Sequence, residues 1–341
     1  MSRSIFVQNL ESKLHRSGQT LVLAEGDDER ILEAAKTCIN TGICNKILLL
    51  TELCEKSNSK LANILSGADL NTTENLHFLH TRDPGLILKT KDFLIHRFQS
   101  RGKELENKKA EQMAGLATYQ ACFLIANGAA DAGVAGAVFP TAEVIRAGIH
   151  SFDLAQDNKT VSSCFLFERP EGEALFFSDC GVLVAPSPEQ RVDIASQTVS
   201  TAKALFSDYK PVVAFLSFST AESAAHPLQK EMAESYRLFK IKFPSIEAAG
   251  ELQFDAAFDL SILKRKAPAI SLTKPANIFI FPDLNAGNIA YKIANKLAGL
   301  KAYGPILQGF SKSWTDLSRG ASVEEIYVSG LIALSKSAAE K

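Results

Sequence analysis

The sequence has few cysteines and no paired cysteine motif. None of the six cysteines forms a C-x-x-C pair, and none has a histidine at a zinc-like spacing. A structural zinc site is therefore not expected. We predict that the cysteines are reduced and mostly buried. They are Cys38, Cys44, Cys54, Cys122, Cys164 and Cys180.

Long apolar runs are also absent. No uninterrupted apolar stretch approaches the roughly 18–20 residues that a membrane span needs. The first 15 residues are amphipathic and lack the apolar core of a signal peptide. These absences predict a cytoplasmic protein that does not enter a membrane.

Neither sign of charge dominates the composition. The 341 residues include 37 Lys and Arg against 38 Asp and Glu, a formal net charge of −1. This balance excludes a strongly basic nucleic-acid coat protein and an acidic disordered chain. No dense Lys/Arg run forms a local basic patch, so we expect no nucleic-acid partner.

Several common catalytic motifs are missing as well. The chain has no G-x-G-x-x-G after a strand, no Walker G-x-x-x-x-G-K-[ST], no G-x-S-x-G and no H-E-x-x-H. The sequence therefore gives little support for four common classes of protein: dinucleotide-binding proteins, P-loop nucleotide-binding proteins, serine hydrolases and metalloproteases.

Apolar strand-like runs alternate with segments of helical periodicity, which predicts an α/β protein with mostly parallel sheets. A hairpin signal predicts one antiparallel pair, formed by residues 161–168 and 174–179. The other predicted strands are residues 20–24, 46–50, 132–138, 212–218 and 276–281. The predicted helices are residues 30–39, 92–130 with a break near Gly102, 189–205, 288–297 and 323 to the end.

The segment from Asp316 to Ile326 is the most informative for chemistry. A polar loop meets a helix N-terminus there, where free N–H groups and the helix dipole favour an anion. Arg319 adds a planar set of donors suited to phosphate, and the Ser318 hydroxyl can donate to an oxyanion. Glu325 can serve as a base, or it can close a capping box with Ser322.

Three further polar loops follow predicted strands. They cover residues 136–146 with Thr141 and Arg146, residues 216–220, and residues 281–288. Open α/β sheets bind ligands at the carboxyl ends of their strands. Taken alone, each loop is also explained by residues that favour turns, and Arg146 by an arginine on the surface of a helix. Four such loops together predict a binding site.

Four long motifs stand out in the second half of the chain. They are Gly-Glu-Leu-Gln-Phe-Asp-Ala-Ala at 250–257, Phe-Pro-Asp-Leu-Asn-Ala-Gly-Asn-Ile at 281–289, Gly-Pro-Ile-Leu-Gln-Gly at 304–309 and Asp-Leu-Ser-Arg-Gly at 316–320. These motifs resemble those of phosphate acetyltransferases (phosphotransacetylases), in the short form of the phosphate acetyl/butyryltransferase family. A weaker match, Glu-Gly-Asp-Asp-Glu-Arg, lies at residues 25–30, and the resemblance covers about residues 21–333.

The resemblance implies two α/β domains with mostly parallel sheets and an interdomain cleft, similar to isocitrate and isopropylmalate dehydrogenases. Domain I would comprise residues 1–158 plus 308–341, and domain II residues 159–307. It implies a homodimer that catalyses acetyl-CoA + phosphate ⇌ acetyl phosphate + CoA without a metal or prosthetic group.

The resemblance also assigns roles to individual residues. Ser318 and Arg319 match the active-site serine and arginine of the family, and Glu325 lies where many members have the aspartate proposed as base. A further family arginine matches Arg97, with Arg101 as its rival. The predicted substrate-binding residues are Arg146, Arg97, Thr141, Ser219, Asn285 and Lys292.

Some positions depart from the family pattern. The usual Ser-Thr-Lys-Gly-Ser-Ala loop has Ala221 and Glu222 at its centre, and Pro275 replaces a lysine. These changes keep two alternatives open: a phosphate butyryl- or propionyltransferase, and a non-catalytic acyl-CoA-binding regulatory protein. A dehydrogenase of the isocitrate type is disfavoured because no clear metal-binding aspartate cluster is present.

Overall fold

The computed structural model describes residues 4–52, 74–169 and 172–339. The elements of the first half are α1 (Ile5–Leu14), β1 (Thr20–Leu23), α2 (Glu29–Asn40), β2 (Lys46–Thr51), β3 (Leu76–His80), α3 (Pro84–Ser100), α4 (Asn107–Ala114), α5 (Ala117–Ala126), β4 (Ala132–Ala135) and α6 (Thr141–Ser151). Those of the second half are β5 (Ser162–Glu168), β6 (Ala174–Ser178), α7 (Pro188–Leu205), β7 (Val212–Leu216), α8 (Pro227–Lys242), β8 (Glu247–Leu252), α9 (Phe254–Phe258), α10 (Leu260–Lys266), β9 (Ile278–Ile280), α11 (Leu284–Leu297), β10 (Lys301–Gln308), β11 (Ser313–Asp316) and α12 (Val323–Ala339).

The chain divides into two compact units. Unit 1 comprises Met1–Ala155 and Phe310–Lys341, and unit 2 comprises Gln156–Gly309. The resemblance placed these boundaries after residues 158 and 307.

Unit 1 contains a five-stranded sheet in the order β11-β4-β1-β2-β3, in which every neighbouring pair is parallel. The short apolar run of β1 is buried at its centre, where Leu21 pairs with Ile47 on one side and with Ala132 on the other. β11 comes from the C-terminal segment, so both chain ends build this sheet. Because the strands are parallel, the loops after β1, β4 and β11 leave from the same edge.

Unit 2 contains a six-stranded sheet in the order β10-β5-β6-β9-β7-β8. β6, β9, β7 and β8 are parallel, whereas β5 is antiparallel to both β6 and β10. Aromatic side chains fill much of its core, including Phe167, Phe177 and Phe279. The loops after β6, β9 and β7 share one edge of this sheet.

The predicted α/β class with mostly parallel sheets is confirmed, and so is the hairpin of β5 and β6. The sequence pattern predicted one antiparallel pair, but β10 adds a second. The helical stretch predicted for residues 92–130 begins earlier, at Pro84, and a second break at residues 115–116 divides it into α3, α4 and α5.

Five of the six cysteines are free and buried, as predicted: Cys38, Cys44, Cys122, Cys164 and Cys180. Cys54 lies outside the described residues. Within the described ranges, no helix has both the length and the apolar character that a membrane crossing requires.

Candidate active site

Three loops of unit 1 follow adjacent strands at one edge of the sheet. The loop after β1 contains Glu25, the loop after β4 covers residues 136–140, and the loop after β11 covers residues 317–322. The strand pairing continues into them, because the N–H of Leu317 donates to the carbonyl of Ala135 at 2.8 Å. The three loops are therefore neighbours.

The Glu25 carboxylate organises the loop after β4. Its oxygens accept hydrogen bonds from the consecutive backbone N–H groups of Gly136, Ala137, Val138 and Phe139, at 2.8–3.1 Å. Glu25 is only 6% exposed, so these charge-assisted bonds form away from water, where they are strong. Successive N–H groups of this kind can bind an anion. Here the protein's own carboxylate occupies them.

Arg30, in the first turn of α2, joins two of the loops. Its Nη1 donates to the carbonyls of Arg319 and Ala321, both at 2.9 Å, and its Nη2 donates to the carbonyl of Ala137 at 3.1 Å. The Asp28 carboxylate holds the same guanidinium through Nε at 3.0 Å and Nη2 at 2.7 Å. The Arg30 side chain therefore fixes the backbone of the loop after β11 against the loop after β4.

Asp316 ends β11 and is completely buried. Burial raises the pKa of its carboxyl to about 7; the Thr141 hydroxyl and the Leu317 N–H oppose this increase. A Cβ atom at Gly136 would lie 2.3 Å from Asp316 Oδ1, and the φ of Gly136 is +110°. Only glycine fits at this position, and the two loops pack closely as a result.

Ser318 and Arg319 lie in an exposed turn, closed by a 2.9 Å hydrogen bond from the Ala321 N–H to the Ser318 carbonyl. The Arg319 side chain makes no hydrogen bond or ion pair with the residues that the structure describes, although its carbonyl is bound by Arg30. The backbone of the turn is thus held in place while both side chains stay available to a ligand.

Glu325 closes a capping box with Ser322 at the start of α12. Its Oε2 accepts the Ser322 N–H at 2.7 Å and the Ser322 hydroxyl at 2.9 Å, and its own N–H donates to Ser322 Oγ at 3.2 Å. The capping alternative of the sequence analysis is therefore realised. Both side-chain bonds use Oε2, so Oε1 has no partner among the described residues.

Thr141 and Arg146 lie on α6, which begins where the loop after β4 ends. Arg146 is exposed and makes no ion pair with a described residue. One turn further on, the Nδ1 of His150 lies 2.9 Å from the Tyr119 hydroxyl. Burial lowers the pKa of His150, and Arg146 lowers it further. Arg146 therefore places a positive charge close to His150 on this helix.

The structure separates the roles of the two rival arginines on and after α3. Arg97 binds the Asp153 carboxylate through both terminal nitrogens, at 3.1 and 2.6 Å. Arg101 donates to the carbonyls of Ile149, at 2.6 Å, and Phe152 at the C-terminal end of α6, and its Nη2 also lies 3.6 Å from Asp153 Oδ1. Arg101 therefore caps a helix, whereas Arg97 is held by a single surface carboxylate.

Ser219, which follows β7 in unit 2, is fully buried. Its hydroxyl donates to Glu251 Oε1 at 2.9 Å and accepts the Ala224 N–H at 3.2 Å. In this arrangement the hydroxyl shapes the loop after β7.

Asn285 and Lys292 are exposed and lie two turns apart on α11, on the same face of the helix. The helix begins at Asp283, whose carboxylate accepts the Ala286 N–H at 2.9 Å. The buried Arg191 donates to the Pro282 carbonyl through Nε at 3.0 Å and Nη2 at 2.8 Å, which fixes the loop that leads into α11.

The altered loop after β7 predicts a stability change. Ala221 and Glu222 adopt left-handed φ values of 48° and 63°, a conformation that costs a non-glycine residue about 1–2 kcal/mol. The loop pattern given by the resemblance has glycine where this chain has Glu222. We expect Glu222→Gly to raise the free energy of unfolding by about 0.5–1 kcal/mol, net of the extra freedom of the unfolded chain. Chemical denaturation measures this.

Glu104→Gly is the matched control, since Glu104 lies in an exposed loop and has no left-handed φ. It should bring no gain in stability. If Glu222→Gly were no more stable than the native chain, strain at this loop would not be the cost we assign to it.

The structure divides the predicted site residues between the two units. Unit 2 holds Ser219, Asn285 and Lys292, and unit 1 holds Ser318, Arg319, Glu325, Thr141, Arg146 and Arg97. Among the described residues, no three His, Cys, Asp or Glu side chains are grouped as a metal site would need.

Sequence reasoning gave no role to Glu25, Arg30 or Asp316. For Glu25 and Arg30 the available signal was the Glu-Gly-Asp-Asp-Glu-Arg motif directly after a buried strand, and for Asp316 it was the Asp-Leu-Ser-Arg-Gly motif. The first motif alone does not show what Glu25 and Arg30 contact, because their partners in the loops after β4 and β11 lie more than 100 positions away. Arg30 and Arg319, for example, are separated by 289 positions.

The geometry defines a two-unit α/β protein with Ser318, Arg319 and Arg146 near the carboxyl edge of a parallel sheet, where such proteins bind ligands. Neither arginine side chain has an ion-pair partner among the described residues. The family model described as "Phosphate acetyl/butaryl transferase" matches residues 5–334. The chain belongs to this family and is a transferase, which confirms the resemblance drawn from its motifs.

Individual relatives agree with the family model. The chain is 35% identical over 327 residues to a phosphate acetyltransferase of Bacillus subtilis (strain 168), covering 95% of this chain and 96% of the relative. A phosphotransacetylase structure from Streptococcus pyogenes matches with a TM-score of 0.87 and 30% identity over 99% of both chains. A EutD phosphotransacetylase from Staphylococcus aureus matches with a TM-score of 0.84 and 29% identity, over 97% and 98% of the two chains.

Proposed function

We propose that this chain is a phosphate acetyltransferase, which interconverts acetyl-CoA and phosphate with acetyl phosphate and CoA. The observation that carries the proposal is the turn of Ser318 and Arg319, whose backbone is fixed by Arg30 while its side chains are exposed. The names of the relatives support the same activity.

In the direction of acetyl-CoA synthesis, Glu325 takes the proton from the CoA thiol. A free thiol has a pKa of about 8.5, so a positioned base increases the reactive thiolate. Because Oε2 is used in the capping box, Oε1 is the atom that accepts the proton. The cap thereby orients the base.

The thiolate attacks the carbonyl carbon of acetyl phosphate in a ternary complex. The new C–S bond forms, and the bond between the carbonyl carbon and the oxygen that bridges to phosphorus breaks. Phosphate leaves with that oxygen. The Ser318 hydroxyl donates to the developing oxyanion. Arg319 and Arg146, neither paired with a described residue, hold the phosphate and stabilise it as the leaving group.

Direct attack requires no acyl-cysteine intermediate. The described cysteines are buried, and burial raises the pKa of Cys44 to about 12 and those of Cys122 and Cys180 well above the usual value. Such thiols are protonated and inaccessible, so they are poor acyl carriers. This supports transfer in one step.

The remaining predicted residues would bind the substrates. Arg97 would exchange its Asp153 partner for an anionic group, and Thr141 would contact the transferred group from the start of α6. Asn285 and Lys292 would contact the polar and phosphate groups of CoA from α11. Ser219 would act through the shape of its loop, because its hydroxyl is bound to Glu251.

The proposal includes a cytoplasmic homodimer that works without a metal or prosthetic group. Light scattering coupled to gel filtration measures the mass of the assembly. A mass equal to one chain would contradict the dimer, and loss of activity after metal chelation would contradict metal-free catalysis.

The decisive experiment follows the thioester absorbance of acetyl-CoA in the presence of phosphate or arsenate, with propionyl-CoA and butyryl-CoA in parallel. We expect phosphate-dependent loss of absorbance, fastest with acetyl-CoA. Faster turnover of propionyl- or butyryl-CoA would assign the longer-chain transferase instead. No turnover of any thioester by folded protein would favour the regulatory acyl-CoA-binding alternative.

A further inference from the structure

We propose that Arg30 is a positioning residue of the transferase, which acts through the turn of Ser318 and Arg319. The inference rests on the proposed function, and it adds a residue for which the sequence motifs suggested no role. Arg30 connects the loop after β11 to the loop after β4, and so fixes the backbone from which the two site side chains project.

The hydrogen-bond pattern explains why Arg30 is not itself a phosphate ligand. A guanidinium has five N–H donors. In Arg30, Nε and Nη2 bind Asp28, Nη2 also binds the Ala137 carbonyl, and Nη1 binds the carbonyls of Arg319 and Ala321. All five donors are therefore used within the protein, whereas the Arg319 side chain has no such partner in the part of the chain that the structure describes.

The backbone donors of the loop after β4 are also occupied within the protein. The N–H groups of residues 136–139, which otherwise resemble an anion-binding concavity, are taken by the buried Glu25 carboxylate. The four N–H groups of this loop are therefore not available to phosphate. In the proposed function the phosphate is held by the Arg319 and Arg146 side chains, so the position of the Arg319 backbone matters directly.

Lysine cannot replace this arginine. Its ammonium is a compact charge with three donors, whereas the arrangement needs a planar group that reaches two loops and a carboxylate at once. A displacement of about 1 Å in a catalytic group can cost about 10²-fold in rate. We expect Arg30→Lys to lower kcat about tenfold or more and to raise the KM for acetyl phosphate, with a much smaller effect on the KM for CoA.

The experiment compares Arg30→Lys with the control Arg82→Lys, measuring kcat, both KM values and thermal unfolding. Arg82 belongs to the same unit and forms an exposed ion pair with Glu52 at 3.0 Å, so its substitution should leave kinetics unchanged. Wild-type kinetic constants in folded Arg30→Lys would overturn the proposal. An equal change in both KM values with unchanged kcat would also overturn it.

A double-mutant cycle with Ser318→Ala tests whether Arg30 acts through the turn. If it does, Arg30→Lys should lower kcat by a smaller factor in the Ser318→Ala background than in the native chain, because only the position of Arg319 is then still affected. Full additivity of the two losses would contradict the proposal.

Asp28→Asn is a second variant that tests the proposal even if Arg30→Lys does not fold. Asparagine can still accept the Arg30 N–H at the start of α2, as Asp28 does at 2.9 Å, but it loses the charge that anchors the guanidinium. We expect a smaller loss of kcat in the same direction, and an unchanged kcat would count against the proposal.

Amide hydrogen exchange of residues 317–322 provides a readout that does not need turnover. Exchange should become faster in Arg30→Lys and stay unchanged in Arg82→Lys. If the native chain has no transferase activity, the proposed function fails while the exchange result still decides whether Arg30 fixes the turn. Unchanged exchange in Arg30→Lys would overturn the inference by itself.

Discussion

Ser318→Ala should lower kcat by about 10²–10³-fold, the usual effect of removing one donor to a developing oxyanion. The fold should be unaffected, because Ser318 is exposed and the turn is closed through its carbonyl, which alanine retains. The measurement is phosphate-dependent loss of the acetyl-CoA thioester, together with thermal unfolding of the variant.

Arg319→Ala should cause a comparable loss, and Arg319→Lys should recover only part of it. The lysine variant keeps the charge but not the planar set of donors that suits phosphate. Since the contact of Arg30 is with the Arg319 carbonyl, neither substitution removes the bond that holds the turn.

Ser200→Ala and Arg237→Ala are the controls for these two side chains. The hydroxyl of Ser200 donates to the Ser196 carbonyl within α7, and Arg237 pairs with Glu234 on the exposed face of α8. Both should turn over acetyl-CoA at the native rate. Near-native kcat in both Ser318→Ala and Arg319→Ala would remove the basis for assigning the site to this turn.

The elements that could be predicted from the sequence are those whose burial follows a simple apolar pattern. β1 and β2 are continuous apolar runs in a parallel sheet. β11 could not be recognised in this way, because three of its four residues are polar and yet buried: Ser313, Thr315 and Asp316. Its burial comes from tertiary partners such as the Ala333 carbonyl, which accepts the Ser313 hydroxyl at 2.6 Å.

Two other strands, β3 and β8, were not predicted because they lie at the edges of their sheets and have weak apolar patterns. β3 has a single buried residue, Leu76, so its sequence lacks a strand-like alternation. β8 carries two glutamates and a glycine. Edge strands of this kind are specified by their neighbours rather than by their own apolar pattern.

In the candidate site, too, some residues can be found from a local sequence pattern and others only from their tertiary partners. Ser318, Arg319 and Glu325 could be found from sequence because they lie close together in the chain, in a polar loop and in the first turn of the helix that follows it. The support around them could not, since Glu25 and Arg30 act on loops more than 100 positions away. A local pattern therefore finds the groups that face the substrate, and only the assembled sheet shows what holds them in position.

Glu325→Gln is the second substitution with a large expected effect, because it separates two roles of one side chain. The glutamine Oε1 can accept the bonds from Ser322 that Glu325 Oε2 accepts now, so the capping box survives. The amide nitrogen cannot take a proton from the CoA thiol. We expect kcat to fall by about 10²–10⁴-fold with little change in thermal stability.

Ser322→Ala is the reciprocal variant. It removes the hydroxyl from the cap and should lower the free energy of unfolding by about 1 kcal/mol, while a carboxylate that can accept the proton remains. Glu324→Gln, one position earlier on the same helix, controls for the loss of a charge near the helix start. If Glu325→Gln kept the native kcat, Glu325 would be a cap only, and another group would have to deprotonate the thiol. A fall in kcat without loss of stability would show that the residue closing the helix is also the base.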